Sequence, residues 1–517
     1  MSIDDRPTLA APDDDPYLWL EDIEGERALA FVAAQNQRTL AALGGAGFER
    51  DRDMLAAIFD RSDNIPFVSR RGALLYNLWK DAAHPRGLWR RTTLAEFRKA
   101  EPQWEELLDL DRLAADEGED WALNWVSTLP PAHERAMLAL SRGGSDAVVL
   151  REFDLAAKRF VADGFTLSEA KGGVDWLDQD TLLLASAFGQ GMATPSGYAR
   201  TMRLWRRGEP IEAAKVIFAA ENSQSVWVRA GIDRSVTPAR VWFTEGLDFF
   251  NHHLWLGDAS GAGIKLDLPT DCWMTADGNF MAVKLRQPWT VGDVTHGADV
   301  VLGIRLSAFL DGVRDFVRVF EPGPRRALQG LCWAGGRLVL SILDELKPQS
   351  EVWTPSAQGW SCQRLPGLPE LATVNVWPLD AYELTGNGDL LASIQDPLTP
   401  PSLQKTATSA STPSGSKRNG ITSCPPTMTP PMPRLQRQSR PRYTPWKSTA
   451  AASRSPSPPP SAPPAPHAKR RSARALAPKP LYPAMPLPPQ CRARSSRSTS
   501  KKVKRSPRAR SSSCSRP

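Results

Sequence analysis

The sequence predicts a mainly β fold: a seven-bladed β-propeller preceded by a short helical N-terminal segment and followed by a disordered basic tail. Three observations carry this. Helical spacing is confined to the residues before Pro66, short apolar runs recur from Ala73 to the neighbourhood of residue 400, and the composition changes abruptly at Gln404. The expected divisions are a helical segment over residues 1–70, the propeller over 71–403 and the tail over 404–517.

In the first segment Ala28, Phe31, Val32, Gln35 and Leu40 recur at three- and four-residue spacing, and Glu21, Asp22, Glu24 and Glu26 lie on the N-terminal side, where acids suit the helix dipole. A second amphipathic stretch, Met54 to Phe59, ends at the break Asn64-Ile65-Pro66. Beyond it the first strands of successive hairpins are expected near Leu74, Met137, Leu182, Val241, Met281, Leu338 and Leu390, a mean interval of about 53 residues and close to the kelch-type period of about 50. Trp176-Leu-Asp-Gln-Asp leads into Leu182, Trp273-Met-Thr-Ala-Asp-Gly-Asn into Phe280, and Trp333-Ala-Gly-Gly into Leu338. Asp-Gly and Gly-Gly are the chemistry of tight antiparallel turns. A large β-sandwich is the alternative, since its strands look alike locally and the intervals are irregular.

The whole-chain net charge of +7 hides a division. All 57 acidic residues precede Gln404, so residues 1–403, with 40 basic residues, carry −17, and the remaining residues hold 24 Lys and Arg and no acid. Such a Ser-, Pro- and Arg-rich segment cannot bury enough surface to offset its conformational entropy. Cys272, Cys332 and Cys362 are far apart, with no C-x-x-C pair and no nearby His, and read as buried thiols. The acidic N-terminus has no apolar core of a signal peptide, no stretch is long and apolar enough to span a bilayer, and a cytoplasmic location is the expectation.

The run Asp15-Pro16-Tyr17-Leu18-Trp19-Leu20-Glu21-Asp22, followed by Ala28, Phe31-Val32 and Gln35-Asn36, resembles the opening of the prolyl oligopeptidase family. Trp104-Glu-Glu-Leu-Leu-Asp109, Ser141-Arg-Gly-Gly-Ser-Asp146 and Asp396-Pro-Leu-Thr-Pro-Pro401 resemble further landmarks in the same order, so the likeness covers about residues 15–403. The resemblance implies a seven-bladed propeller that admits short peptides to a C-terminal α/β-hydrolase domain, where a Ser, Asp and His triad cleaves them and against which the N-terminal segment packs.

The residues for that chemistry are missing. No G-x-S-x-G pentapeptide occurs; Gly359-Trp-Ser361-Cys-Gln363 lacks the second Gly, and Gly143-Gly-Ser145-Asp146 reads as a turn. His467 is the sole histidine after His296, and no Asp or Glu follows Asp396. The expectation is therefore no catalytic residues and no peptide cleavage by this chain. No cofactor is expected either, because phosphate-binding glycine loops are absent. No metal site is expected from the scattered His84, His133, His252, His253 and His296; adjacent His252 and His253 point to opposite faces of a strand. Trp79, Trp89, Trp125, Trp205, Trp242 and Trp255 read as packing between blades.

Two accounts of the tail compete: out-of-frame translation from near codon 403 that replaces the hydrolase domain, or a genuine basic tail whose Lys501-Lys-Val-Lys-Arg505 and Arg508-Ala-Arg510 bind nucleic acid non-specifically. Loss of the hydrolase partner implies, in turn, self-association through the surfaces it would cover.

Overall fold

In the computed structural model, residues 17–22, 25–380, 388–398 and 401–407 are described. The tail residues from 408 on, with His467 and the basic clusters, lie outside them.

Helical spacing before Pro66 produces two helices, α1 (Glu26–Leu43) and α2 (Ala46–Phe59). Glu26 occupies the first turn of α1, where the dipole favours an acid, and the Gly44 N–H closes its end on the Leu40 carbonyl. Trp19 stands edge-on to Phe31 at 5.6 Å. The apolar stripe is otherwise bare: Ala28 is the single buried residue of the two helices, Leu43 is 78% exposed and Phe59 75%.

After Pro66 every sheet is antiparallel, and its strands follow chain order with two short interruptions, at 159–160 and 289–296. Four separate four-stranded sheets cover residues 69–109, 227–265, 273–320 and 326–364, a two-stranded ribbon (289–296) projects from the third of these, and a three-stranded sheet covers 373–407. The expectation of seven blades needs correction at the level of hydrogen bonding, where five sheets of four or more strands appear. Residues 121–219 form one eight-stranded sheet because the strand Thr166–Asp178 is long enough to serve two neighbours. Its first half pairs with Ala147–Asp154 and its second half with Thr181–Ser186.

A second correction concerns strand order. All seven apolar runs are the second strands of their units, not the first: Leu74–Trp79, Arg135–Arg142, Thr181–Ser186, Arg240–Gly246, Phe280–Lys284, Arg337–Asp344 and Asp389–Gln395. The reason is burial on both faces. Consecutive residues there serve different apolar layers: Leu75 and Tyr76, Met137 and Leu138, Leu182 and Leu183, Met281 and Ala282, Leu338 and Val339, Leu390 and Leu391. A strand sandwiched in this way reads as a continuous apolar run. First strands such as Trp273–Asp277 and Thr373–Pro378 are mostly half-buried and interleave polar with apolar residues, and leave a weaker signature.

The layers stack in sequence order and return to the start. Phe153 and Leu138 pack with Tyr76 and Trp89, Trp176 and Leu184 with Met137, Phe243 with Leu183, Met281 with Trp242, Leu340 with Ala282, Leu390 with Val339, and finally Leu391 and Leu403 with Leu75 and Val68. This is the β-propeller arrangement. First and last sheets meet through side chains, the Arg70 N–H on the Leu379 carbonyl (3.0 Å) and an Arg70–Asp389 ion pair (3.3 Å).

The sequence's turn chemistry is used as expected at Gly335 and Gly336, both at positive φ between paired Ala334 and Arg337. The composition break at Gln404 falls inside the strand Ser402–Ala407, whose main chain pairs with Asp389–Gln395. One cysteine expectation fails. Cys272 is buried and Cys332 half-buried, both pushed up to about 12 by burial, but Cys362 is exposed on the edge strand Gly359–Arg364.

Candidate functional site

The first strands of successive units approach one another, Trp121–Thr128 with Thr166–Asp178 inside the eight-stranded sheet, and, between sheets, Thr166–Asp178 with Trp227–Asp233, Trp273–Asp277 with Arg326–Ala334, and Arg326–Ala334 with Thr373–Pro378. They surround a common axis, and their C-terminal ends carry a belt of charged residues. Arg71 faces Asp380 at 3.9 Å, joining first and last sheets. Arg234 reaches Asp175 at 3.5 Å and donates to the Trp176 carbonyl. Arg240 donates to Asp233 (2.8 Å) and to the Gly278 carbonyl (2.7 Å), while the Gly278 N–H returns to Ser235 Oγ (2.9 Å). The Asp277 carboxylate accepts the Gly336 N–H. Apart from Asp233–Arg240, which lies within one sheet, these contacts join a sheet to its neighbour, so the belt fastens one end of the ring.

Next to the belt, a cleft of about 390 Å³ is lined by Phe67, Arg71, Trp89, Leu123, Trp125 and Trp377, with Asn77 and Asn124 among its polar groups. Apolar walls with a few polar groups suit a small organic or peptide ligand. Trp125 thus lines a cavity as well as packing between strands. Nearby, Arg90 is stacked between Trp79 and Trp104, at 4.4 and 4.2 Å, and burial pushes its guanidinium down to about 10 against the pull of Asp81.

The serines singled out in the sequence occupy structural positions. Ser361 lies on an edge strand opposite Thr354, and Ser145 bonds the Ala147 carbonyl (3.1 Å) in its turn. His84 Nδ1 is 3.1 Å from Asp81, and the buried His133 ring is fixed by the Thr128 hydroxyl at 2.8 Å, facing the belt. His296 stands edge-on to Phe316. His253 lies opposite Glu245 in the strand register, a pairing that sequence reading missed because the two residues belong to different strands.

Three histidines sit below the ordinary value near 6.5. Burial is the first cause in each; the charges of Arg71 and Arg234 add to it for His133 against Asp380, His253 adds for His252, and Arg318 for His296. Folded protein then binds fewer protons than the unfolded chain, so this stability is present above about pH 6.5 and lost as pH falls through the folded values. Asp277, held up by burial, opposes the trend at lower pH. The thermal midpoint is expected to drop between about pH 7.5 and 5, and to drop less in the His133→Gln, His296→Gln double variant. A flat or rising midpoint in differential scanning fluorimetry contradicts this.

Comparison with known proteins agrees with the geometry. Residues 10–261 match the prolyl oligopeptidase N-terminal β-propeller domain. Over 393 residues the chain is 32% identical to an uncharacterized peptidase of Sinorhizobium fredii, covering 73% of this chain and 54% of that one. Over 408 residues it is 25% identical to an uncharacterized peptidase of Rickettsia prowazekii, covering 74% and 55%. A post-proline cleaving enzyme from Rickettsia typhi shares the fold with a TM-score of 0.68 at 24% identity, covering 75% of this chain and 58% of that one. The ring of antiparallel sheets and the family match together define a prolyl-oligopeptidase-type β-propeller. Through that N-terminal portion the chain belongs to the prolyl oligopeptidase family, and it spans about half the length of the curated relatives it matches. Among the described residues no helix is long and apolar enough to cross a membrane.

Proposed function

We propose that this chain is the substrate-gating part of a prolyl-oligopeptidase-type serine peptidase and does not hydrolyse peptides by itself. The observation that carries the reading is the bare apolar stripe of α1 and α2, which bury Ala28 and nothing else. Such a face is suited to a partner domain, and the family supplies one in its hydrolase. The eight-stranded sheet counts as two blades folded against each other across the layer of Met137, Trp176 and Leu184, and the three-stranded sheet as a last one, giving seven. Short peptides would be admitted along the axis past the charged belt, the aromatic cleft beside it offering side-chain contacts. The acid-free composition after Asp396 and the absence of G-x-S-x-G favour out-of-frame translation as the origin of the tail, which reading the other two frames after codon 403 tests. A cytoplasmic location and self-association through the bare helices complete the proposal.

Purified protein is expected to hydrolyse chromogenic proline-containing and basic peptides no faster than buffer, and to resist labelling by a fluorophosphonate, which reports an activated serine. Stoichiometric labelling overturns the proposal.

A further inference from the structure

At the opposite end of the sheet 227–265 from the Asp233–Arg240 contact, three side chains from separate segments converge. Glu245 is the penultimate residue of the strand Arg240–Gly246, His253 the second of His252–Asp258, and Glu221 lies in the connection that follows Lys215–Ala219. Glu245 and His253 are direct cross-strand partners, which puts their side chains on one face. One ligand atom from each of the three lies within 4.8 Å of the others.

Glu245 marks this as more than a cluster of acids. Its side chain is 1% exposed, and one oxygen is saturated by the Ser225 hydroxyl and the Asn222 N–H (2.9 Å). The other oxygen, Oε2, is buried and has no hydrogen-bond partner; His253 Nδ1, facing it at 3.7 Å, has none either. That separation is too long for a hydrogen bond. It suits an ion held at roughly 2.0–2.2 Å from each atom. A buried carboxylate oxygen without a partner is costly, and a cation between it and an imidazole removes that cost. Glu221 is exposed and can close the remaining distance, and Lys265 engages one of its oxygens at 3.2 Å. Among the described residues Lys265 is the cation the ion pairs place at this cluster, and it bonds Glu221, not Glu245.

We propose that Glu221, Glu245 and His253 bind one divalent transition-metal ion, a structural site that ties the sheet ending at Ala219 to the sheet that follows it. One imidazole nitrogen with two carboxylates favours a zinc-like ion over magnesium or calcium, which take oxygen ligands. Binding there leaves water in the remaining position, with Ser225 and the Asn222 N–H orienting Glu245 from behind.

The test uses the full-length chain, stripped with chelator and titrated with Zn²⁺ by calorimetry and thermal unfolding. The expected result is a binding stoichiometry that falls by one in both Glu221→Gln and His253→Gln, with a Zn²⁺-induced rise of a few degrees in the midpoint of the parent chain that both variants lose. Glu221 is exposed, so its variant folds. Circular dichroism verifies the fold of both. A stoichiometry that stays unchanged in either folded variant, or no Zn²⁺-dependent rise in the parent, overturns the site.

Discussion

Replacing Trp176 by alanine is expected to leave little of the ring folded at 37 °C. Trp176 is 0% exposed, packs edge-on to Phe165 at 6.0 Å and fills the layer between Met137 and Leu184 inside the eight-stranded sheet. Emptying such a site costs about 3–5 kcal/mol. Its indole N–H also donates to the Ser127 carbonyl at 2.9 Å across that layer, and losing this hydrogen bond adds about 0.5–1.5 kcal/mol. Against a total stability of about 5–15 kcal/mol, the loss is a large fraction. Trp273→Ala is the comparison: that side chain is 49% exposed on a first strand, and its loss is expected to stay within about 1 kcal/mol. Urea denaturation of both variants decides it, and a Trp176→Ala midpoint close to that of the parent would show that the two halves of the sheet do not depend on this layer.

Deleting residues 1–60 is expected to turn a self-associating chain into a monodisperse monomer. Leu29, Phe31, Val32, Leu40 and Leu43 of α1 and Phe48, Met54, Leu55, Ile58 and Phe59 of α2 are all exposed. Contiguous apolar patches above a few hundred Å² drive association, and each Å² covered contributes about 25 cal/mol. The first sheet starts at Ser69 and closes against the last through Val68, Leu75, Leu391 and Leu403, so the deletion leaves the ring's seam untouched. Light scattering of the parent, of the 1–60 deletion and of a separate 408–517 deletion assigns the cause. Scattering that disappears with the tail deletion alone, or a parent chain that is already monomeric and thermally robust, removes the helices from the account.

How much was legible beforehand depended on how local the signal was. Helical spacing switches to strand patterning at Pro66 because proline and its predecessor disfavour the helix there, and α2 has ended earlier, at Phe59, whose carbonyl accepts from the Asn64 side chain. The seven apolar runs were visible because a strand buried on both faces is apolar over most of its length. The first strands were not, because they face the axis, where polar residues such as exposed Asn375 and half-buried Asp277 are tolerated. The peptidase resemblance rested on ordered landmarks, and the missing elbow and missing acids are properties of composition that no fold can alter.

The sequence by itself determined the β class, the repeat, the helical lead and the absence of a nucleophile elbow, since each is set by neighbours within a few residues. Only the tertiary structure decided which strand of each sheet lies at the axis, that Thr166–Asp178 joins two sheets into one, and that Arg71 meets Asp380 while Glu221, Glu245 and His253 share one place. Those outcomes depend on strand register and on the closure of the ring, which bring residues from distant segments within a few ångströms, and no periodicity along the chain encodes such a distance.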